Sequence, residues 1–215
     1  MLTANINDRR KPKFFIPAIY SPSLWENKIP VKKTYTYEDY TRLPEGAPYQ
    51  LIGGELIMTP SPMPYHQELS RELGFKLFSF VKENDLGHVY YAPLDVYFSE
   101  TDVYQPDILF IEKKRSEIIG KTKIEGSPDI VVEILSPSTA YYDLRKKFRI
   151  YEKFGVKEYW IVDPELKRIE VYGNENSIYK VISEAENEGS VSSAILRGFE
   201  VELSDIFGPS RTARS

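Results

Sequence analysis

From residue 36 to residue 207 the chain alternates between two kinds of apolar spacing. In HQELSRELGFKLFSFVKEN, Leu69, Leu73, Leu77 and Phe80-Val81 recur at helical period and predict one amphipathic helix. PYQLIGGELIMTPSP predicts a β-hairpin turning at Gly53-Gly54 and ended by Pro60, Pro62 and Pro64. GHVYYAPLDVYF and VYQPDILFIE read as strands. IEGSPDIVVEILS is almost continuously apolar, as expected of a strand central in a sheet and covered on both faces. TAYYDLRKKFRIYEKFG predicts a helix closed by Gly155, and KEYWIVDP a strand ended by Pro164. RIEVYG, SIYKVIS and SSAILRGFEVEL predict a closing antiparallel meander, followed by a short helix at LSDIF. Upstream, YTYEDYTRLPE predicts a short helix with Thr36 as N-cap and Glu38-Asp39 in its first turn. The order of elements gives an α/β or α+β fold, a mixed sheet flanked by helices.

The 215 residues suit one domain with appendages. Residues 1–33 mix charges, prolines and aromatics and read as an extended arm, 34–207 as the domain, and 208–215 as a tail. The chain has no cysteine, which excludes disulfides, zinc–thiolate sites and cysteine nucleophiles. Its two histidines, His66 and His88, argue against a multi-histidine cage. A metal here would take oxygen ligands, favouring Mg²⁺, Mn²⁺ or Ca²⁺. The first residues carry no apolar run of signal-peptide type, and nowhere is an apolar stretch long enough to span a bilayer. We expect a cytoplasmic protein with no membrane partner. A net charge of −4 argues against a protein that simply coats nucleic acid. Yet Asp143 to Lys157 holds six Lys or Arg against two Asp or Glu, a basic helix. A solvated helix face is its bland explanation.

That helix follows two acidic strand motifs, QPDILFIE and VVEILSPST. Asp107 stands behind Pro106 at a strand start, where by itself it would read as a turn carboxylate. Glu133 is harder to place. Inside IVVEIL it points opposite to Val132 and Ile134, in a strand with no natural room for a charge. A buried salt bridge would explain it alone; together with Asp107 it suggests a shared cation. Glu55, after the double glycine, reads equally as a hairpin-end carboxylate or as a metal or water contact. Asp143, Lys147 and Tyr151 share one helix face, which fits an ordinary ion pair and a core tyrosine. Lys147 could also orient an attacking water or stabilise charge developing on phosphorus. Ser136–Thr139 needs only to cap the helix. His66 could be a base or substrate contact, but a capping or buried structural histidine is the simpler reading.

The arrangement resembles the PD-(D/E)XK nuclease superfamily, and more narrowly a bacterial family of restriction-endonuclease-like proteins of Uma type. The resemblance is carried by YQLIGGELIMTPSPMPYHQ, APLDVYF, VYQPDILFIE, SPDIVVEILSPST, YDLRKKFRIYEKFGVKEYWIVDPE and GFEVELSDIF, and excludes residues 1–33. It implies a restriction-endonuclease-like core and a Mg²⁺ or Mn²⁺ site from Asp107, Glu133 and the Ile134 carbonyl, with Glu55 from the early acidic position. It also implies a homodimer acting on DNA. One position departs from the superfamily pattern. The expected Glu-x-Lys would put lysine at 135, where Leu135 stands, and Lys147 on the following helix aligns as its replacement.

Three readings follow. The first is a metal-dependent DNA endonuclease with Asp107, Glu133, Lys147 and Glu55 in its site. The second is a nuclease-like fold without catalysis, binding nucleic acid or protein, for which Leu135 and the acidic net charge speak. The third is a glycosidase using Asp107 and Glu133 as acid and base; the sequence holds no recognisable aromatic sugar platform.

Overall fold

The computed structural model describes residues 33–44, 46–59, 61–136 and 142–208. Nearly all of the expected arm and of the expected tail lies outside them. Helix α1 (Tyr37–Thr41) opens at Thr36, whose Oγ1 accepts the Asp39 N–H while the Asp39 carboxylate accepts the Thr36 N–H. This reciprocal cap satisfies donors that a first helical turn otherwise leaves open. Strands β1 (Tyr49–Ile52) and β2 (Glu55–Met58) form the expected hairpin. Gly53 and Gly54 both take positive φ, 60° and 78°, the conformation a two-residue hairpin turn demands.

Helix α2 (Pro64–Glu83) follows, burying Leu69, Leu73, Leu77 and Val81. Each such side chain contributes about 1.5–3 kcal/mol when removed from water, so this stripe fixes the helix on the sheet. Strands β3 (Gly87–Tyr91), β4 (Val96–Ser99), β5 (Asp102–Tyr104), β6 (Ile108–Glu112), β7 (Ile124–Glu125) and β8 (Ile130–Ile134) come next. Helix α3 (Phe148–Phe154) is entered through a wider π-type turn at 142–147 and ends at Gly155 in the left-handed region. Strands β9 (Glu158–Asp163), β10 (Arg168–Glu175), β11 (Ile178–Glu186), β12 (Ser190–Ser192) and β13 (Glu200–Glu202) precede helix α4 (Leu203–Phe207).

The strands form a six-stranded sheet ordered β11-β10-β9-β8-β6-β3, a five-stranded sheet ordered β2-β1-β5-β4-β7, and the β12-β13 pair. The expected strands GHVYYAPLDVYF and VYQPDILFIE each divide. Their first and second halves belong to different sheets, with the breaks at Ala92-Pro93 and Gln105-Pro106. Proline offers no N–H to a ladder, so a strand is free to change sheets there. The meander also ends earlier than expected: β9, β10 and β11 pair in sequence, but SSAILRGFEVEL supplies only β13 after a loop, paired with β12.

Strand β8 is central and buried along its whole length, as its apolar run implies. It pairs antiparallel with β6 and parallel with β9. The parallel pairing requires a crossover, and α3 provides it. Alternation along β8 sends Val132 and Ile134 into the cluster with Leu69, Leu73 and Leu77. Val131 and Leu135 join the opposite cluster with Tyr151 and Tyr159. Among the described residues, no helix is long and apolar enough to cross a membrane.

Candidate active site

Asp107 occupies the bend that leads into β6. The antiparallel register Ile108 opposite Val132 brings it beside the end of β8. Its Oδ2 accepts the Ile134 N–H at 2.7 Å, and its own carbonyl accepts the Ala92 N–H at 3.1 Å. The carboxylate next to Glu133 is therefore fixed by backbone.

Glu133 projects from β8 into the aromatic cluster beneath α3. The crossover lays α3 and its entry turn over this face, so side chains from both reach the carboxylate. Lys147 Nζ donates to Glu133 Oε1 at 2.9 Å, and Tyr151 Oη donates to the same oxygen at 2.6 Å. The Glu133 and Lys147 side chains are each only 4% exposed. An ion pair so deep is tolerated only when the charges meet and their remaining valences are bonded. Burial, then the Glu133 charge, push the Tyr151 phenol far above its ordinary value, so it stays protonated and donating. Its ring packs against Phe98, Tyr104 and Tyr159.

The expected face of Lys147 and Tyr151 is thus present and aimed at Glu133, and the tyrosine serves both packing and hydrogen bonding. The side chain of Asp143 and residues Pro137, Ser138 and Thr139 lie outside the described residues.

His66 is the residue that the sequence undervalued. Its Nε2 lies 3.1 Å from the Ile134 carbonyl oxygen and 3.3 Å from Asp107 Oδ2. Both neighbours are acceptors here, so Nε2 carries the proton. Nδ1 is buried without a hydrogen-bond partner. Burial alone would lower the imidazole pKa, but the Asp107 hydrogen bond and charge, helped by the Ile134 carbonyl and the Glu133 charge, raise it above 6.5. A signal existed in the sequence: His66 stands three residues before Leu69 and seven before Leu73, on the stripe that α2 buries against β8.

Glu55 sits differently. Its side chain is 60% exposed and pairs with Lys146 at 2.8 Å. No three His, Asp or Glu side chains among the described residues converge closely enough to hold an ion by themselves. That holds for Asp107, Glu133 and Glu55 and equally for Asp107, Glu133 and His66. The geometry assembles two sets that adjoin along β8: Asp107 with the Ile134 backbone and His66, and Glu133 with Lys147 and Tyr151.

Residues 37–204 match a family model, Uma2, described as a putative restriction endonuclease. The chain belongs to the Uma2 family. A curated relative, an uncharacterized protein of Synechocystis sp., is 23% identical over 148 residues, covering 67% of this chain and 83% of its own. A crystal structure from Anabaena variabilis, described as a putative nuclease belonging to DUF820, superposes with a TM-score of 0.67 at 24% identity. It covers 80% of this chain and 97% of its own. At that identity the likeness speaks for the fold, a mixed sheet flanked by helices, as expected. In this Uma2 chain Leu135 is buried in the aromatic cluster, and the cation on Glu133 comes instead from the start of the crossover helix.

Proposed function

We propose that the protein is a Mg²⁺- or Mn²⁺-dependent endonuclease that hydrolyses phosphodiester bonds of DNA. The observation that carries this reading is the juxtaposition, at the ends of β6 and β8, of the Asp107 carboxylate, the Ile134 carbonyl and the Glu133–Lys147 pair. Two carboxylates and a carbonyl are hard oxygen donors of the kind Mg²⁺ and Mn²⁺ prefer. Asp107 and the Ile134 carbonyl already converge on one proton, that of His66 Nε2. Asp107, Glu133 and the Ile134 carbonyl would hold the ion, which when bound supplies a water of lowered pKa and charge for the phosphoryl oxygens.

The chain's own residues then divide the work. The Ile134 N–H fixes Asp107 Oδ2. Lys147 pairs with the buried Glu133 carboxylate and would supply the cation for a developing phosphorane. Tyr151 holds Glu133 Oε1 in place. His66 ties Asp107 to the Ile134 carbonyl across α2 and β8. Glu55, which pairs with Lys146 next to Lys147 in sequence, would take an outer role at this site. Action on DNA in the cytoplasm as a homodimer belongs to the same reading.

The test is plasmid nicking with Mg²⁺, Mn²⁺ and EDTA, run beside Glu133→Gln and Asp107→Ala. Metal-dependent nicking lost in both variants is expected; no turnover on any DNA or RNA, or turnover equal in Asp107→Ala, refutes hydrolysis.

A second reading has its own observation. Glu133 Oε1 is already shared by Lys147 and Tyr151, and Leu135 replaces the motif lysine. A binding module without catalysis would show salt-dependent nucleic-acid binding and no EDTA-sensitive cleavage.

A further inference from the structure

We infer that the cleft beside Asp107 seats unpaired nucleotides, so that this protein acts on single strands or on strands splayed from a duplex. The inference rests on the nucleic-acid reading above and names its substrate class. The cleft has a volume of about 390 Å³ and lies between α2 and the end of β3. Ser70, Arg71, Phe75 and Phe78 line it from the helix, with Tyr91 on β3 and Asp107 before β6. It therefore opens onto the carboxylate already placed in the active site.

Three aromatic rings stand exposed there, Phe75 at 65%, Phe78 at 42% and Tyr91 at 41%. The core does not require them. Helix α2 buries Leu69, Leu73, Leu77 and Val81, while 71, 75, 78 and 82 recur at i, i+4, i+7 and i+11 on the other side. Lys82 Nζ lies 5.6 Å from the Phe78 ring centroid, and Arg71 extends into solvent with Glu72 as neighbour at 2.7 Å. Aromatic faces interleaved with cations are what a strand with open bases requires: the rings take the bases and the cations take the phosphates. An intact duplex hides its base faces in the stack and has no complement for exposed phenyl rings.

The platform is also set in advance. Tyr91 Oη donates to the Gly74 carbonyl at 3.0 Å, and a Cβ on Gly74 would meet the Tyr91 ring at 2.4 Å. Helix α2 thus has a glycine where the ring presses closest. Tyr91 pairs with Ile108, the residue after Asp107, so the ring and the carboxylate line the same cleft from neighbouring strands. The volume falls in the range of small-ligand pockets, about 300–1,000 Å³, enough for a nucleotide-sized group but not for a duplex.

The experiment is fluorescence anisotropy in EDTA with labelled single-stranded DNA, single-stranded RNA and a duplex of one sequence. Wild type should bind at least one single strand about tenfold more tightly than the duplex, the DNA and RNA arms showing which. The double variant Phe75→Ala/Phe78→Ala should lose about tenfold on the single strand and little on the duplex. Phe75→Trp should keep the affinity, and Arg71→Gln should lower the salt slope by about one. Equal affinity for single strand and duplex, or unchanged affinity in the double variant, overturns the inference. So does a double variant that turns a dimer into a monomer without altering nucleic-acid affinity, which would make this face an interface between copies. Single-strand preference without metal-dependent cleavage would remove the hydrolytic reading and leave this one; cleavage without the preference would do the reverse.

Discussion

Lys147 and Glu133, fourteen residues apart in sequence, meet at 2.9 Å with both side chains almost wholly buried. Removing one partner leaves the other charge stranded, a loss of about 3–5 kcal/mol for a buried pair. Lys147→Met should therefore lower the urea midpoint sharply. Adding Glu133→Gln should recover most of that loss, because an amide can still accept from Tyr151 and carries no charge. Neither variant should nick plasmid. A double variant that is stable yet inactive separates the pair's chemical role from its structural one. Cleavage by the stable double variant would show that the pair only holds the fold.

His66 makes its own prediction through position. Its Nε2 proton ties Asp107 to the Ile134 carbonyl. Groups that orient metal ligands commonly change affinity or activity by about 10–100-fold when replaced. His66→Ala should weaken Mn²⁺ binding, read by calorimetry, and slow nicking by a similar factor. If Mn²⁺ affinity is unchanged while the urea midpoint falls, His66 is a packing residue at the start of α2.

The sequence made the fold legible where one residue property sufficed. The β1–β2 turn needed two positive φ angles and showed Gly53-Gly54; the Thr36 cap needed a hydroxyl and an acid three residues on. Continuity of apolar residues in IVVEIL placed β8 at the centre, and its lone acid exposed Glu133. What stayed hidden depended on partners distant in the chain. Strands divided at Pro93 and Pro106 read as single runs because neither half shows which sheet it joins. His66 looked structural because its two acceptors lie on β8 and the bend before β6. Glu55 read equally as a hairpin-end carboxylate or a ligand, and its partner Lys146, 91 residues on, was not visible from the hairpin.

Glu55 accordingly divides two versions of the site. Its pair with Lys146 is largely exposed, and such pairs contribute about 0–1 kcal/mol. Glu55→Gln should leave the melting temperature nearly unchanged and retain nicking within a few-fold of wild type. A loss as complete as that of Asp107→Ala would mean that Glu55 moves into the metal's coordination on binding, and the site would then need three carboxylates.

A last prediction concerns pH and a buried acid away from the site. Asp129 is fully buried. It accepts the Glu112 N–H at 2.7 Å and lies 2.6 Å from Lys157 Nζ and 2.9 Å from Arg115 Nη1. Burial alone would raise its pKa, but these donors and the two cations outweigh it and hold the carboxyl below 3.8. A group whose folded pKa is depressed adds stability that is complete above the unfolded value and disappears as pH falls through the folded one. Asp129→Asn keeps the size and one acceptor but loses the charge, and its cations can turn to solvent, so a loss of about 1–3 kcal/mol at pH 7 is expected. The difference between wild type and variant, measured by urea denaturation, should persist down to about pH 4 and close below it. A gap that stays constant to lower pH would mean that the carboxylate's charge is not what joins β6 to β9 through Asp129.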